Sequence, residues 1–349
     1  MSLLRHARIR LSRVSMWVMT FSADRLRSIL IRRGGRGKVE AAIQIVASLA
    51  LLAIGGAVGI ARRFGLSGLL IGLTLVGFGT SSPELMTSVN AALRGSPGIA
   101  IGNVVGSNIG NILLILALVV LIRPLAVNPA AVRRDGVICV AISVALAVIA
   151  FQFGALERWV GGILVAGLAL YVFAVWRMER ACGPAAEMHA EESHTHDPAP
   201  QKLWLSALFA IGGLAILVFG ADLLVTGAIT VARLAGLSET VIGLTIVAIG
   251  TSLPELVATL MAALKGRSDV AFGNIVGSNI YNILGILGVT ALINPVPIPP
   301  DIGLVDWIAL IGSIALLLLV AMTGRRITRL EGALMLAAYT AYVVYLLTP

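Results

Sequence analysis

The chain has 349 residues, of which 58% are hydrophobic and only 12% are Asp, Glu, Lys or Arg, against roughly 25% charged residues in an average soluble domain. Mean hydropathy is +0.98. No soluble globule has an interior large enough for so much apolar sequence, which leaves a polytopic membrane protein. Two cysteines, Cys139 and Cys182, exclude a disulfide framework and any multi-cysteine zinc or iron–sulfur site.

Residues 1–38 form a basic tail with ten Lys or Arg against one acid, Asp24, so the whole net charge of +9 sits there. This argues for an anionic membrane surface nearby, and against a nucleic-acid-binding fold. The longest uncharged run of the tail, Val14–Ala23, has ten residues, too few to cross a bilayer. It reads as a disordered or interfacial segment, an overlong start, or a cleaved signal peptide.

Ten apolar spans follow, at about 39–61, 68–93, 98–122, 135–153, 158–176, 203–232, 239–264, 270–293, 303–323 and 329–347. Most reach the ~20 residues that a membrane helix needs. The longest connection, 181–202, carries Glu187-Met-His-Ala-Glu-Glu-Ser-His-Thr-His-Asp197. It reads as a solvated linker, with a regulatory metal site as the rival reading.

An internal repeat organises the rest. Gly72–Gly95, GLTLVGFGTSSPELMTSVNAALRG, matches Gly243–Gly266, GLTIVAIGTSLPELVATLMAALKG, and AIGNVVGSNIGN from Ala100 matches AFGNIVGSNIYN from Ala271. The offset is 171 throughout, with 23 identities in 40 positions. The copies lie on spans two and three and on spans seven and eight. A separation of five spans is odd, so equivalent helices cross the membrane in opposite directions. The expected fold is therefore all-α and integral to the membrane, with ten transmembrane helices as two inverted five-helix repeats. Its parts are the tail 1–38, a first repeat 39–180, the linker 181–202 and a second repeat 203–349. Outside the tail, connections after odd-numbered spans hold thirteen basic residues and those after even-numbered spans three, Arg94, Arg158 and Arg233. The odd side is thus cytoplasmic and both termini extracytoplasmic in a cytoplasmic membrane.

Most charges lie at connections or span ends; three acids do not: Glu84, Glu255 and Asp222. A carboxylate near the bilayer centre costs at least ~2.5 kcal/mol, so by default it has a function. No basic residue lies near Glu84 or Glu255 in sequence, and a bound cation would supply the missing partner. Each follows Gly-Thr-Ser-x-Pro. Pro83 and Pro254, with Gly79 and Gly250, break the helix and free carbonyls that must be satisfied inside the protein. Thr80, Ser81, Thr251 and Ser252 add hydroxyls, and Ser107, Asn111, Ser278 and Asn282 add more oxygen. This all-oxygen set suits calcium or sodium rather than zinc or copper. Gly102–Gly106 and Gly273–Gly277 suit close helix packing, and Asn111 and Asn282 also suit bonds between helices. Asp222, with Leu51 at its counterpart position, reads as structural or interfacial.

GTSSPE with GNVVGSNIGN, and GTSLPE with GNIVGSNIYN, resemble the two alpha repeats of the sodium/calcium exchanger family in the calcium/cation antiporter superfamily, most of all its short prokaryotic members. The resemblance covers about residues 39–349. It implies an ion site between helices two, three, seven and eight, and alternating access by sliding of helices one and six. By motif position it makes Glu84 and Glu255 the central carboxylates, with Thr80 and Thr251 as carbonyl and hydroxyl ligands to the metal and Ser81 and Ser252 beside them. Gly77 and Ala248 match positions that give backbone carbonyls; Ser107, Asn111, Ser278 and Asn282 match on helices three and eight. Asn282 departs from the Asp that many sodium/calcium members carry.

The function expected is secondary active exchange of Ca2+ for Na+ by alternating access at a midplane site, in a transporter that is not an enzyme and holds no cofactor. One calcium, two sodium ions or two protons would each neutralise two glutamates. A proton/calcium exchanger, an exchanger of another divalent ion such as magnesium or manganese, and a calcium-permeable channel are the alternatives. The partners are calcium, a monovalent cation and the lipid bilayer, with no nucleic acid; the oligomeric state stays open, a monomer included.

Overall fold

The computed structural model describes residues 76–181, 212, 230, 236–323 and 326–348. The tail, the first expected span, most of the sixth, Asp222 and the linker beyond Ala181 lie outside the described residues.

The described chain is helical. Helices α1 (Gly77–Thr80) and α2 (Ser82–Leu93) belong to the second expected span. They are followed by α3 (Pro97–Ile122), α4 (Pro129–Phe153) and α5 (Arg158–Ala181), then α6 (Glu239–Thr251), α7 (Leu253–Leu264), α8 (Ser268–Ile293), α9 (Leu304–Thr323) and α10 (Arg329–Leu347). Among the described residues six helices (α3, α4, α5, α8, α9 and α10) are long and apolar enough to cross a membrane. Taken as one span, α6 with α7, bent by 42°, makes up to seven.

Helix starts follow local chemistry. Pro97 and Pro129 open α3 and α4, where a missing N–H costs nothing. The Asn128 side chain caps α4 by accepting from Ala130 N at 3.0 Å. This start precedes the expected one at 135, because Arg133 and Arg134 read as connection and are helical. Thr328 and Glu331 form a capping box at the head of α10. Gly95 and Gly266, with φ of 71° and 78°, make the left-handed turns after α2 and α7.

Two short antiparallel ladders tie the connections together. β1 (Leu125–Ala126) pairs with β4 (Arg326–Ile327), and β2 (Ala155–Leu156) with β3 (Val296–Pro297). Nearby, side chains cap helix C-termini: Arg123 donates to Leu264 O at 2.6 Å, Arg329 to Leu121 O at 3.0 Å, and Asn294 to Ala92 O at 2.8 Å.

Burial separates the centre from the rim. The apolar windows of α3 and α8 are 78% and 83% buried, against 22–44% for α4, α5, α9 and α10. The rim helices turn Phe151, Ile163, Leu319 and Leu334 outward, as a lipid solvent allows. At the centre α3 lies on α6 with backbones nearly touching. A Cβ on Gly102 would stand 3.0 Å from both Leu244 N and Thr240 O, and one on Gly106 would collide with the backbone of Leu244. Small residues are what permit this approach.

Two further carboxylates are buried at helix heads on the rim. Asp135 accepts from Tyr171 at 3.3 Å and Asp306 from Tyr342 at 2.8 Å, both partners standing 36 residues on. Asp135 also holds Arg134 through two bonds of 2.6 and 2.9 Å. Val305 stands where the repeat would repeat that arginine, and Asp306 has instead the Gly303 N–H at 2.8 Å.

Gly106→Val should destabilise the detergent-purified protein by about 1–3 kcal/mol through overpacking. Gly110→Ala, whose new carbon would meet nothing nearer than the Tyr339 hydroxyl at 4.0 Å, should be close to neutral in the same thermal unfolding assay. Tyr342→Phe should cost about 1–3 kcal/mol. Tyr171→Phe should cost less, because Asp135 keeps its arginine; equal losses in the two variants would contradict this.

Candidate ion-binding site

Both helix breaks fall at a serine. Ser81 (φ −81°, ψ 6°) separates α1 from α2, and Ser252 (φ −83°, ψ 7°) separates α6 from α7. The breaks come two residues before Pro83 and Pro254, which then occupy the first turn of the next helix. That position suits proline's fixed φ. Glu84 and Glu255 share those first turns, at the positive ends of the half-helices, which favour a carboxylate. The carbonyl ends of α1 and α6 meet the same breaks with the opposite polarity.

Every predicted side chain of the site is buried. Glu84, Glu255, Ser107, Ser278 and Asn282 are 0% exposed, and Thr80, Ser81, Thr251, Ser252 and Asn111 are at most 5% exposed. Gly77 and Ala248 are buried as well.

The two halves are cross-linked. Ser81 donates to Glu255 Oε1 at 2.9 Å, and Ser252 donates to Glu84 Oε1 at 3.0 Å. Each serine therefore serves the glutamate of the other half, three residues before its own. Thr251 Oγ1 lies 3.0 Å from Asn103 Oδ1, and Thr80 Oγ1 lies 3.4 Å from Asn274 Oδ1. Both threonines can also donate to the carbonyl four residues back, at 3.0 Å. Ser278 reaches Glu255 Oε1 and Ser107 reaches Ala248 O, each at 3.5 Å. The Gly77 and Ala248 carbonyls accept from Ser81 N and Ser252 N at 3.0 and 3.1 Å, and the Thr80 and Thr251 hydroxyls lie 3.2 and 3.4 Å from the same two oxygens.

Asn111 and Asn282 do not bond the glutamates. Asn111 Nδ2 donates to Asn279 Oδ1 at 3.0 Å, and Asn282 Nδ2 donates to Asn108 Oδ1 at 3.3 Å. Both predicted residues open π-helical turns, Asn111–Leu116 directly and Tyr281–Leu287 one residue earlier. Such turns recur at functional sites because they re-aim side chains and loosen the carbonyl ladder.

Seven buried side-chain atoms among the described residues have no hydrogen-bond partner, and four of them are Glu84 Oε2, Glu255 Oε2, Asn111 Oδ1 and Asn282 Oδ1. All four are acceptors when the glutamates are ionised. Leaving such a group unpartnered costs about 1–3 kcal/mol, more if charged. A hard cation satisfies several at once, and a proton satisfies a carboxylate. No cluster of three or more His, Cys, Asp or Glu able to hold a metal occurs among the described residues. The donors here are two carboxylates and neutral oxygens, which suits alkali and alkaline-earth ions.

Sequence reasoning missed the supports of the site. Asn103 donates to Ser88 Oγ at 2.9 Å and to Glu84 O at 3.2 Å; Asn274 donates to Thr259 Oγ1 at 2.9 Å and to Glu255 O at 3.5 Å. Asn108 and Asn279 are the partners of the two predicted asparagines. All four match across the repeat, and that identity in polar residues inside apolar spans was the signal available.

The family described as "Sodium/calcium exchanger protein" matches residues 40–177 and 205–348. CaxA of Alkalimonas amylolytica is 40% identical over 291 residues, which cover 82% of this chain and 90% of that one. The sodium/calcium exchanger MaX1 of Methanosarcina acetivorans is 36% identical over 320 residues, with 82% and 91% covered. A structure of the sodium-calcium exchanger NCX_Mj superposes with a TM-score of 0.69 at 31% identity, covering 88% of this chain and 96% of that one. The expected class, a transporter and not an enzyme, stands with these relatives. The chain is a multi-pass membrane protein that belongs to the sodium/calcium exchanger family.

Proposed function

We propose that this antiporter exchanges Ca2+ for Na+ by alternating access at one site built around Glu84 and Glu255. The observation that carries the reading is the set of four buried oxygens, two on each half, that no donor among the described residues reaches. Ser81, Ser252, Thr80, Thr251, Ser107, Ser278, and the carbonyls of Gly77 and Ala248 complete an oxygen cage. The exchange needs no cofactor; the cations are substrates.

Coupling follows from charge. Empty, the cage holds two buried carboxylates in a low-dielectric surround, and moving it past the apolar barrier is costly. One calcium or two monovalent cations cancel that charge. The site then reorients only when loaded, which gives exchange in place of leak.

The architecture we infer is ten helices in two oppositely directed halves, 39–180 and 203–349, preceded by the tail 1–38 and joined by the linker 181–202. The family match is itself in two segments, 40–177 and 205–348. The ladders support the inversion. An offset of 171 carries β1 onto β3 and β2 onto β4, so it exchanges the β1–β4 ladder with the β2–β3 ladder. Between β1 and β2 runs α4, 25 residues or about 37 Å long, so the two ladders lie at opposite membrane faces. The excess of basic residues after odd-numbered spans supports a cytoplasmic membrane location with that side inward.

In proteoliposomes, isotopic calcium uptake should be driven by an imposed sodium gradient with the pH held equal on both sides. Uptake driven only by a proton gradient would replace sodium with protons as counter-ion. Flux that persists at high rate with no counter-gradient would make the protein a channel. Glu84→Gln and Glu255→Gln should each lower uptake by about 100-fold or more, since a carboxylate–cation contact in a dehydrated site is worth several kcal/mol. Wild-type uptake in the double variant would refute the site.

A further inference from the structure

Asn108 and Asn279 have no place in the cage described above, yet both are 0% exposed in the middle of the membrane-length helices α3 and α8. Their bonds form one chain across the halves. Asn111 Nδ2 donates to Asn279 Oδ1 at 3.0 Å, Asn279 Nδ2 donates to the Asn108 carbonyl at 3.2 Å, and Asn282 Nδ2 donates to Asn108 Oδ1 at 3.3 Å. We propose that Asn108 and Asn279 are positioning residues that set calcium affinity: each clamps the amide nitrogen of a cage asparagine and so commits that asparagine's oxygen to the cation. The proposal rests on the cage reading given under Proposed function.

The physical basis is the two-faced nature of an amide. A side-chain amide presents an acceptor on one side and two donors on the other. Rotation by half a turn exchanges them at little steric cost. In a cage that binds cations, the wrong face is worse than no ligand, because its N–H hydrogens repel the ion. The Glu84 and Glu255 oxygens without donors make the wrong face attractive in the unloaded protein, since an amide N–H would satisfy a carboxylate. Something must therefore hold the nitrogens elsewhere. The Oδ1 atoms of Asn108 and Asn279 do so, and the consequence is visible: Asn111 Oδ1 and Asn282 Oδ1 are buried with no donor.

Placement agrees. Asn111 lies one turn beyond Ser107, which reaches Ala248 O, and Asn282 lies one turn beyond Ser278, which reaches Glu255. Residues four apart share a helix face, so the freed oxygens look toward the same space as those serines. The clamps are reciprocal: the half that carries Asn111 holds Asn282, and the half that carries Asn282 holds Asn111. Asn279 is itself held by its bond to the Asn108 carbonyl. The Asn108 Nδ2 has no partner, so the acceptor oxygen of Asn108 is the atom that matters for the clamp.

The test is a double-mutant cycle on the full-length protein in proteoliposomes, read as the calcium concentration at half-maximal uptake. Asn108→Leu and Asn282→Ala should each raise that concentration about tenfold, equivalent to about 1.4 kcal/mol, with the maximal rate much less affected. The combined variant should be no worse than Asn282→Ala alone, because Asn108 acts only through Asn282. The cycle of Asn279→Leu with Asn111→Ala should behave in the same way. A merely structural asparagine would give multiplying losses, about 100-fold in the double variant, and that result overturns the proposal. Asn108→Asp is nearly isosteric and keeps the acceptor while replacing the partnerless nitrogen with a second, ionisable oxygen whose negative charge favours calcium, so it guards against misfolding of the leucine variant. It should leave half-saturation no higher than wild type, and a tenfold rise would also overturn the clamp. Absence of calcium uptake by the wild-type protein would instead reject the function on which the cage rests.

Discussion

Everything in the centre of this protein answers to one constraint: two ionisable carboxylates are buried, each with one oxygen satisfied by the opposite half and the other by nothing among the described residues. Ser252 serves Glu84 and Ser81 serves Glu255 at 3.0 and 2.9 Å. A lone hydroxyl bond is far too weak to offset the burial of a charge. The helix ends help, since each glutamate sits in the first turn of a half-helix and meets its positive end. What remains is a burial cost that a bound cation would offset, and in the exchange proposed above that cost would tie occupancy to movement.

The surrounding architecture keeps this region dry and rigid. The deeply buried α3 and α8 carry the repeated asparagines and serines. Gly102 and Gly106 let α3 lie backbone to backbone on α6, next to the break at Ser252. Around this centre, α4, α5, α9 and α10 spend apolar side chains on lipid and settle their charges at their own heads, as Asp135 and Asp306 do with tyrosines 36 residues later. The division separates a buried centre from a rim whose apolar side chains face outward.

Much of this was legible in the sequence, and the reasons are specific. Glu84 and Glu255 stood out because a carboxylate inside an apolar span has few structural excuses. The proline and the small residues before it foretold a break, and the repeat register aligned the two motifs residue by residue. The helix starts at Pro97 and Arg329 fall where the spans predicted them within a residue or so. The pairing was hidden, because nothing in a linear reading tells that Ser81 turns away from Glu84 toward Glu255. The first turn of α4 was hidden too, since Arg133 and Arg134 look like connection and not like part of a helix. The asparagine chain was half visible: Asn111 and Asn282 are in the motif as ligands, whereas the partners that hold them need distances to be found. The π-helical turns left no trace, because hydrophobic periodicity over a few residues cannot tell 3.6 from a wider turn.

The exchanged serines carry a lesson about origins. Because each half supplies a serine to the other's glutamate, an isolated first half leaves Glu84 without that hydroxyl and an isolated second half leaves Glu255 only Ser278 at 3.5 Å. Two copies of one ancestral half, meeting head to tail, would have made both bonds from the start. Joined in a single chain, such copies would be free to differ where reciprocity does not bind them, as they do at Arg134 and Val305.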